Sequence, residues 1–196
     1  MSRGMTNAFP GHSTPAVGFE VPLEMLAACH QRVQAQCALL HRLVIHLGAH
    51  GTDRQARDAA DTVMRYFDTS ACHHHADEEV DLFPALIESM AGSDAVCLNE
   101  LIDSLRADHR ELEHRWRHLR RTLEQVADGT ATALSADEVQ AFTGLYERHI
   151  AREESELLPM AKRLLGDAEL DRIGLAMRAR RDPLQIEPPN ASHDSG

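Results

Sequence analysis

Residues 74–84 read HHADEEVDLFP and residues 149–159 read HIAREESELLP, so the chain carries the pattern HxxxEExxLxP twice. Residues four apart in an α-helix lie on one face, so the histidine and the first glutamate of each copy present an imidazole and a carboxylate to the same point. The leucine eight residues after each histidine continues this face, which places it on the core side of the helix. The two pairs are His74 with Glu78 and His149 with Glu153.

The sequence around these two copies has the periodicity of long helices and lacks the alternation typical of strands. Pro84 is expected to kink or end its helix, because a proline inside a helix removes a backbone hydrogen bond. Four long helices with short connections predict an all-α, up-down-up-down four-helix bundle, followed by a short C-terminal fifth helix. The predicted helices span residues 22–47, 54–90, 94–127, 135–165 and 167–181.

Composition narrows the class of protein. The chain of 196 residues has a net charge of −11, which repels phosphate backbones and argues against a nucleic-acid partner. No apolar run approaches the roughly 18 residues of a membrane span, so no membrane partner is expected. Its four cysteines form no CxxC pair and we find no signal peptide, which predicts a reduced, cytoplasmic chain. We expect a flexible arm over residues 1–18, the bundle over 19–181 and a disordered tail over 182–196.

The first and third helices offer one candidate histidine each, His30 and His109. Counting from the predicted helix ends at about 1.5 Å per residue places both near the level of His74 and His149 in an antiparallel bundle. A step of seven residues returns to nearly the same helix face, so a mostly aromatic layer is predicted on one side of this level. That layer comprises Cys37, Phe67, Trp116 and Phe142, and the opposite side is closed by Leu23, Leu82, Ile102 and Leu157.

Four imidazoles and two carboxylates are too many ionisable groups to bury without a shared cation. Nitrogen and oxygen ligands of this kind suit iron, manganese or zinc, and bridging glutamates suit two ions. His75 and Glu79 also lie four apart, so only the alignment of the two copies selects His74 over His73 and His75. The predicted metal ligands are His30, His74, Glu78, His109, His149 and Glu153.

These motifs resemble the hemerythrin-like family, also called HHE cation-binding domains, over residues 23–165. The resemblance implies a four-helix bundle that holds a non-haem di-iron centre, with two iron ions per chain and zinc or manganese as alternatives. It also implies that the four histidines are terminal ligands and that Glu78 and Glu153 bridge the metals.

The chain departs from the oxygen-carrying members of this family at two positions. A second histidine of the third helix is replaced by Glu113, which either leaves a more open centre or adds a seventh ligand. An aspartate of the fourth helix is replaced by Glu154, beside the matching Glu153. The resemblance therefore favours a reaction with a small diatomic or peroxide ligand, namely oxygen, peroxide or nitric oxide, over simple oxygen carriage.

Two other functions remain open at this point. The first is a non-catalytic module for iron binding, storage or sensing, whose state an unknown protein partner reads. The second is a purely structural helical bundle with surface histidines, which would make the repeated motif and the common level of the four histidines coincidental.

Overall fold

The computed structural model describes residues 18, 21–90 and 94–182, and helices account for nearly all of this part. The predicted arm and tail lie outside the described residues, apart from Gly18 and Asp182. We number the helices in chain order: α1 is Pro22–His50, α2 spans 54–89, α3 is Asp94–Ala127, α4 spans 136–164 and α5 is Asp167–Arg180.

Two of the helices contain π turns, in which the helix widens by one residue. α2 consists of Arg54–Arg65, the π turn Tyr66–Ser70, Ala71–Ala76, the π turn Asp77–Leu82 and Phe83–Ser89. α4 consists of Ala136–Arg152, the π turn Glu153–Leu157 and Leu158–Leu164. The prediction that Pro84 kinks or ends α2 is wrong as to the end, because the helix continues to Ser89.

Local sequence signals define the helix starts. Pro22 lies in the first turn of α1, where its missing N–H costs no hydrogen bond. The Asp53 carboxylate accepts a hydrogen bond of 2.9 Å from the backbone N–H of Ala56 at the start of α2. The hydroxyl of Ser135 accepts one of 3.3 Å from Glu138 N–H at the start of α4, as its capping motif predicts.

The first four helices form a closed bundle. α1 packs against α2 and α4, and α3 packs against the same two helices. Successive helices are joined by short connections over residues 51–53, 90–93 and 128–135, which makes neighbours antiparallel. The predicted all-α bundle is confirmed, and the described residues contain no β-strand.

The apolar core of the bundle is divided into two clusters along its length. One cluster contains the predicted layer, in which the ring centroid of Phe67 lies 4.9 Å from that of Trp116 and 5.1 Å from that of Phe142. The other contains Leu82, Ile102 and Leu157, with Leu23 packed against its side. Between them lies a layer of buried polar side chains.

α5 lies across α1 and the second π turn of α2. Ile173 and Met177 are fully buried in the second apolar cluster, and Leu170 packs against it. This helix therefore adds to the second apolar cluster and covers it on the side of α1 and α2. Within the described part of the chain, no helix has the length and apolar character needed to cross a membrane.

Candidate metal centre

Each helix of the four-helix bundle contributes one histidine to the polar layer. His30 of α1, His74 of α2, His109 of α3 and His149 of α4 are between 0% and 4% exposed. The Nε2 atoms of His109 and His149 are 3.1 Å apart. The structure thus places all four predicted histidines at one level of the bundle.

Two glutamates join these histidines in pairs across the bundle. The carboxylate oxygens of Glu153 lie 3.1 Å from His30 Nε2 and 3.0 Å from His149 Nε2. Those of Glu78 lie 3.5 Å from His74 Nε2 and 3.3 Å from His109 Nε2. Each carboxylate therefore directs one oxygen to each of two helices, which is the arrangement that a bridging ligand needs.

The six side chains define two overlapping sets of ligand atoms. In each set, the atoms lie within 4.8 Å of one another, and both sets include Glu78 and Glu153. One set adds His30 and His74, and the other adds His109 and His149. The geometry thus brings together two adjacent groups of potential ligand atoms that share both carboxylates.

The buried polar atoms fit a metal and lack other partners. Both carboxylate oxygens of Glu78 and of Glu153, and Nε2 of His30, are buried and make no hydrogen bond. Burying a carboxylate without a partner is costly, and a cation removes that cost. Two imidazole nitrogens bound at right angles to one ion, each at about 2.1 Å, would be about 3 Å apart, which matches the separation of the His109 and His149 nitrogens.

Two carboxylates outside this layer contact the second ring nitrogen, Nδ1, of two of these histidines. Nδ1 of His30 lies 3.1 Å from the carboxylate of Glu154. Nδ1 of His109 lies 2.6 Å from that of Glu79. Such contacts fix the tautomer and ring orientation, so that Nε2 is free to bind a metal. Glu79 and Glu154 are 40% and 47% exposed, which places them at the edge of the centre.

In the metal-free chain, the pKa values of the two shared carboxylates are shifted in opposite directions. Burial and the neighbouring Glu153 raise the pKa of Glu78 well above its usual value. Burial has the same tendency at Glu153, but the nearby imidazoles of His149 and His30 outweigh it and hold the pKa of Glu153 well below the usual value. A proton on Glu78 thus relieves repulsion that a cation would otherwise neutralise.

The structure separates the predicted ligands from two of the alternatives, His73 and Glu113, whereas His75 lies beside His109 and His149. His74 points into the centre, with its Nε2 near the carboxylate of Glu78. His73 is half-buried, and the charged groups that act on it include Arg181 and Asp77, which are not among the candidate ligands. Glu113 is 64% exposed, and its carboxylate lies 2.9 Å from Arg117, so it does not act as a seventh ligand here. All six predicted ligands are brought together, and their binding of metal stays a prediction.

Sequence analysis missed the roles of Glu79 and Glu154. The signal was present in the second glutamate of each EE pair. This residue is rotated about 100° from the first around the helix, so it faces the neighbouring helix instead of the bundle axis.

The comparisons with known proteins agree with this geometry. The family model of the hemerythrin HHE cation binding domain matches residues 21–161. A Haemophilus influenzae protein described as uncharacterised is 33% identical over 160 residues, which cover 82% of this chain and 90% of that protein.

Proposed function

The chain belongs to the hemerythrin HHE cation-binding family, and from this premise we propose that it is a non-haem di-iron protein. In this proposal, it binds or reacts with oxygen, peroxide or nitric oxide at a carboxylate-bridged centre inside the bundle. The observation that carries the proposal is that two sets of buried ligand atoms share Glu78 and Glu153.

The chemistry of the donors supports iron, with zinc or manganese as alternatives. Imidazole and carboxylate ligands suit all three metals, and no thiolate belongs to the two sets. Iron, when bound, would supply redox and Lewis-acid chemistry toward a small ligand. The protein would supply the bridging carboxylates, the orientation of the imidazoles by Glu79 and Glu154, and two apolar clusters that limit access of water.

A second candidate is an iron-binding, storage or sensing module without turnover. The burial of the centre favours it, since all six candidate ligands are at most 4% exposed. In either case, we propose a cytoplasmic protein that binds no nucleic acid, which the net charge of −11 and the four free cysteines support.

The first experiment measures the metal content of protein purified without added metal, together with its visible absorption spectrum. We expect two iron ions per chain, and their loss in Glu153→Gln but not in a matched variant of the exposed His118, His118→Gln. The anaerobically reduced protein is then titrated with each of the three oxidants, and a spectral change is expected with at least one.

Each contrary result selects an alternative. Stoichiometric iron with no response to any oxidant would favour the storage or sensing module. The absence of stoichiometric metal, with unaltered folding of Glu153→Gln, would favour a structural bundle and contradict the proposal.

A further inference from the structure

The second π turn of α2, Asp77–Leu82, has different partners on its two sides. On the inner side, Glu78 lies in the polar layer, with one carboxylate oxygen 3.5 Å from His74 Nε2. On the outer side, the carboxylates of Asp77 and Asp81 contact α5. Adjacent residues of a helix point about 100° apart, so Asp77 and Glu78 contact α5 and the centre at the same time.

The contacts between this turn and α5 are ion pairs with buried carboxylates. Arg180 and Arg181, at the C-terminal end of α5, both donate hydrogen bonds to the carboxylate of Asp77, which is 0% exposed. Arg180 also donates to Asp81 at 2.7 Å, and Arg181 donates to the carbonyl oxygen of Met177 at 2.8 Å. Because a buried charge without its partner is costly, these pairs tie the position of the turn to that of α5.

α5 lies outside the part of the chain that matches the family model. The match ends at residue 161, and α5 is Asp167–Arg180. Ile173 and Met177 are fully buried and hold the apolar face of α5 on the bundle. The two arginines at its end therefore connect an element beyond the matched region to the segment that carries Glu78.

We propose that Arg180 and Arg181 are positioning residues for the metal centre, which act through Asp77 on the direction of Glu78. π turns are rare, and without its outer contacts this turn is free to relax towards a regular α-helix. That change removes one residue from the turn and so rotates Glu78 relative to the residues beyond it.

This inference rests on the proposed function, since it requires cations in the polar layer. Coupling between two sites is reciprocal, so the contacts that favour cation binding are in turn strengthened by a bound cation. A cation in the centre should therefore hold α5 more firmly on the bundle, by the same factor by which α5 strengthens cation binding.

The test separates positioning of the centre from stability of the fold. The double variant Arg180→Gln with Arg181→Gln removes both guanidinium groups. The triple variant adds Asp77→Asn, so no unpaired charge is left buried. Arg172→Gln, at an exposed residue of α5, is the control.

Each metal-free, full-length protein is titrated anaerobically with cobalt(II), whose visible absorption reports the number of ions bound and their coordination. Urea unfolding measures the stability of each variant. Hydrogen exchange, followed by mass spectrometry, reports the opening of α5 with and without cobalt(II).

We expect the wild type and Arg172→Gln to bind two ions with the same spectrum. The double and triple variants should bind at least one ion about tenfold more weakly or worse, with altered absorption bands, because outer partners of ligands change affinity by about 10–100-fold. The triple variant should do so although its stability is partly recovered. Cobalt(II) should slow hydrogen exchange in α5 of the wild type about tenfold or more, and much less in the triple variant.

Wild-type affinity and spectrum in the triple variant would overturn this inference while leaving the proposed function intact. Exchange in α5 that stays the same when the wild type binds cobalt(II) would also overturn it, and this measurement does not depend on the folding of a variant. Failure of the wild type itself to bind two ions would instead refute the proposed function, and the inference with it.

Discussion

In each repeated motif, the second glutamate contacts a candidate ligand histidine on a neighbouring helix. Glu79, beside the ligand candidate Glu78 on α2, contacts His109 of α3. Glu154, beside Glu153 on α4, contacts His30 of α1. The two copies of the motif thus have the same arrangement, in which the first glutamate lies in the centre and the second lies at its edge.

This arrangement predicts that Glu79→Ala weakens metal binding without unfolding the chain. Loss of the carboxylate frees the His109 ring to rotate, and loss of such an outer partner typically costs about 10–100-fold in metal affinity. Glu79→Gln should lose less, because its amide oxygen can still accept a hydrogen bond from Nδ1. Competition with a chelator measures the affinity, and Glu156→Ala, at an exposed residue of the α4 π turn, is the control. Equal affinity in Glu79→Ala and Glu156→Ala would contradict the positioning role.

In the metal-free chain, His74 should make the stability of the fold depend on pH. Burial, followed by the charge of His30, lowers the pKa of His74 well below its usual value. Below about pH 6.5, His74 therefore binds a proton in the unfolded chain but stays neutral in the folded chain. Its contribution to the free energy of unfolding falls as the pH drops. Glu78 and His30 have raised pKa values and act in the opposite direction.

The test compares the free energy of unfolding of wild type and His74→Gln, both metal-free, by urea unfolding at about pH 7.5 and about pH 5.5. Glu78 and His30 are present in both proteins, so the comparison reports the contribution of His74 together with its interactions with these neighbours. On going to the lower pH, the wild type should lose more stability, or gain less, than the variant. Identical pH dependences would show that His74 is not held neutral by the fold.

The sequence predicted which six side chains meet in the polar layer, because identical spacing occurs twice and because helix lengths fix the level of a residue. It did not settle the roles of Glu113 or Glu79. Both are acidic residues near a predicted ligand, and only the rotation of each helix about its own axis decides which one faces inward. Periodicity determines that rotation to about a third of a turn, which is too coarse to distinguish adjacent residues.

Among the helices, two of the three π turns coincide with the two segments that carry the central glutamates. The turns Asp77–Leu82 and Glu153–Leu157 contain the two central glutamates, and each is followed within two residues by a proline. A π turn widens the helix by one residue, and such turns are frequent at functional sites. The widening also accommodates a proline ring that would otherwise clash with the preceding turn. Hydrophobic periodicity does not reveal an insertion of one residue, so the sequence predicted a helix over 54–90 with a kink or an end at Pro84 and did not predict the π turn.

α5 is attached to one of these turns by buried ion pairs. Asp77, fully buried beside Glu78, accepts hydrogen bonds from both Arg180 and Arg181. Arg180 also donates to Asp81 at 2.7 Å. The C-terminal helix therefore fixes the backbone segment that carries a central carboxylate, which its apolar contacts alone would not do.

Removing both arginines should destabilise the protein strongly. The double variant Arg180→Gln with Arg181→Gln leaves the Asp77 carboxylate buried and without its charge partners, for which about 3–5 kcal/mol is typical. Adding Asp77→Asn should recover part of the loss, because no unpaired charge remains. Chemical denaturation measures each step, with the exposed Arg172→Gln of the same helix as the control. A double variant as stable as Arg172→Gln would show that α5 is held by its apolar face alone.

Over the whole molecule, the polar layer interrupts a core that is otherwise apolar. Unpartnered carboxylate and imidazole atoms lie between the two hydrophobic clusters, with side chains from all four helices meeting there. In the metal-free chain this layer contributes desolvated groups with few hydrogen bonds, so it opposes folding. A cation that binds only the folded arrangement would link the four helices at their middle and reverse that effect.

Removal of metal should therefore lower the melting temperature of the whole chain. A ligand that binds only the folded state at a free concentration of 100 times its dissociation constant stabilises that state by about 2.7 kcal/mol. For a protein of this size, about 2–4 °C per kcal/mol converts this into a shift of about 5–11 °C for one ion. Calorimetry of chelator-treated and reloaded protein measures it, and Glu153→Gln should abolish the shift while His118→Gln retains it. Equal melting temperatures with and without metal would contradict binding at this layer, because any ion selective for the folded arrangement must stabilise it.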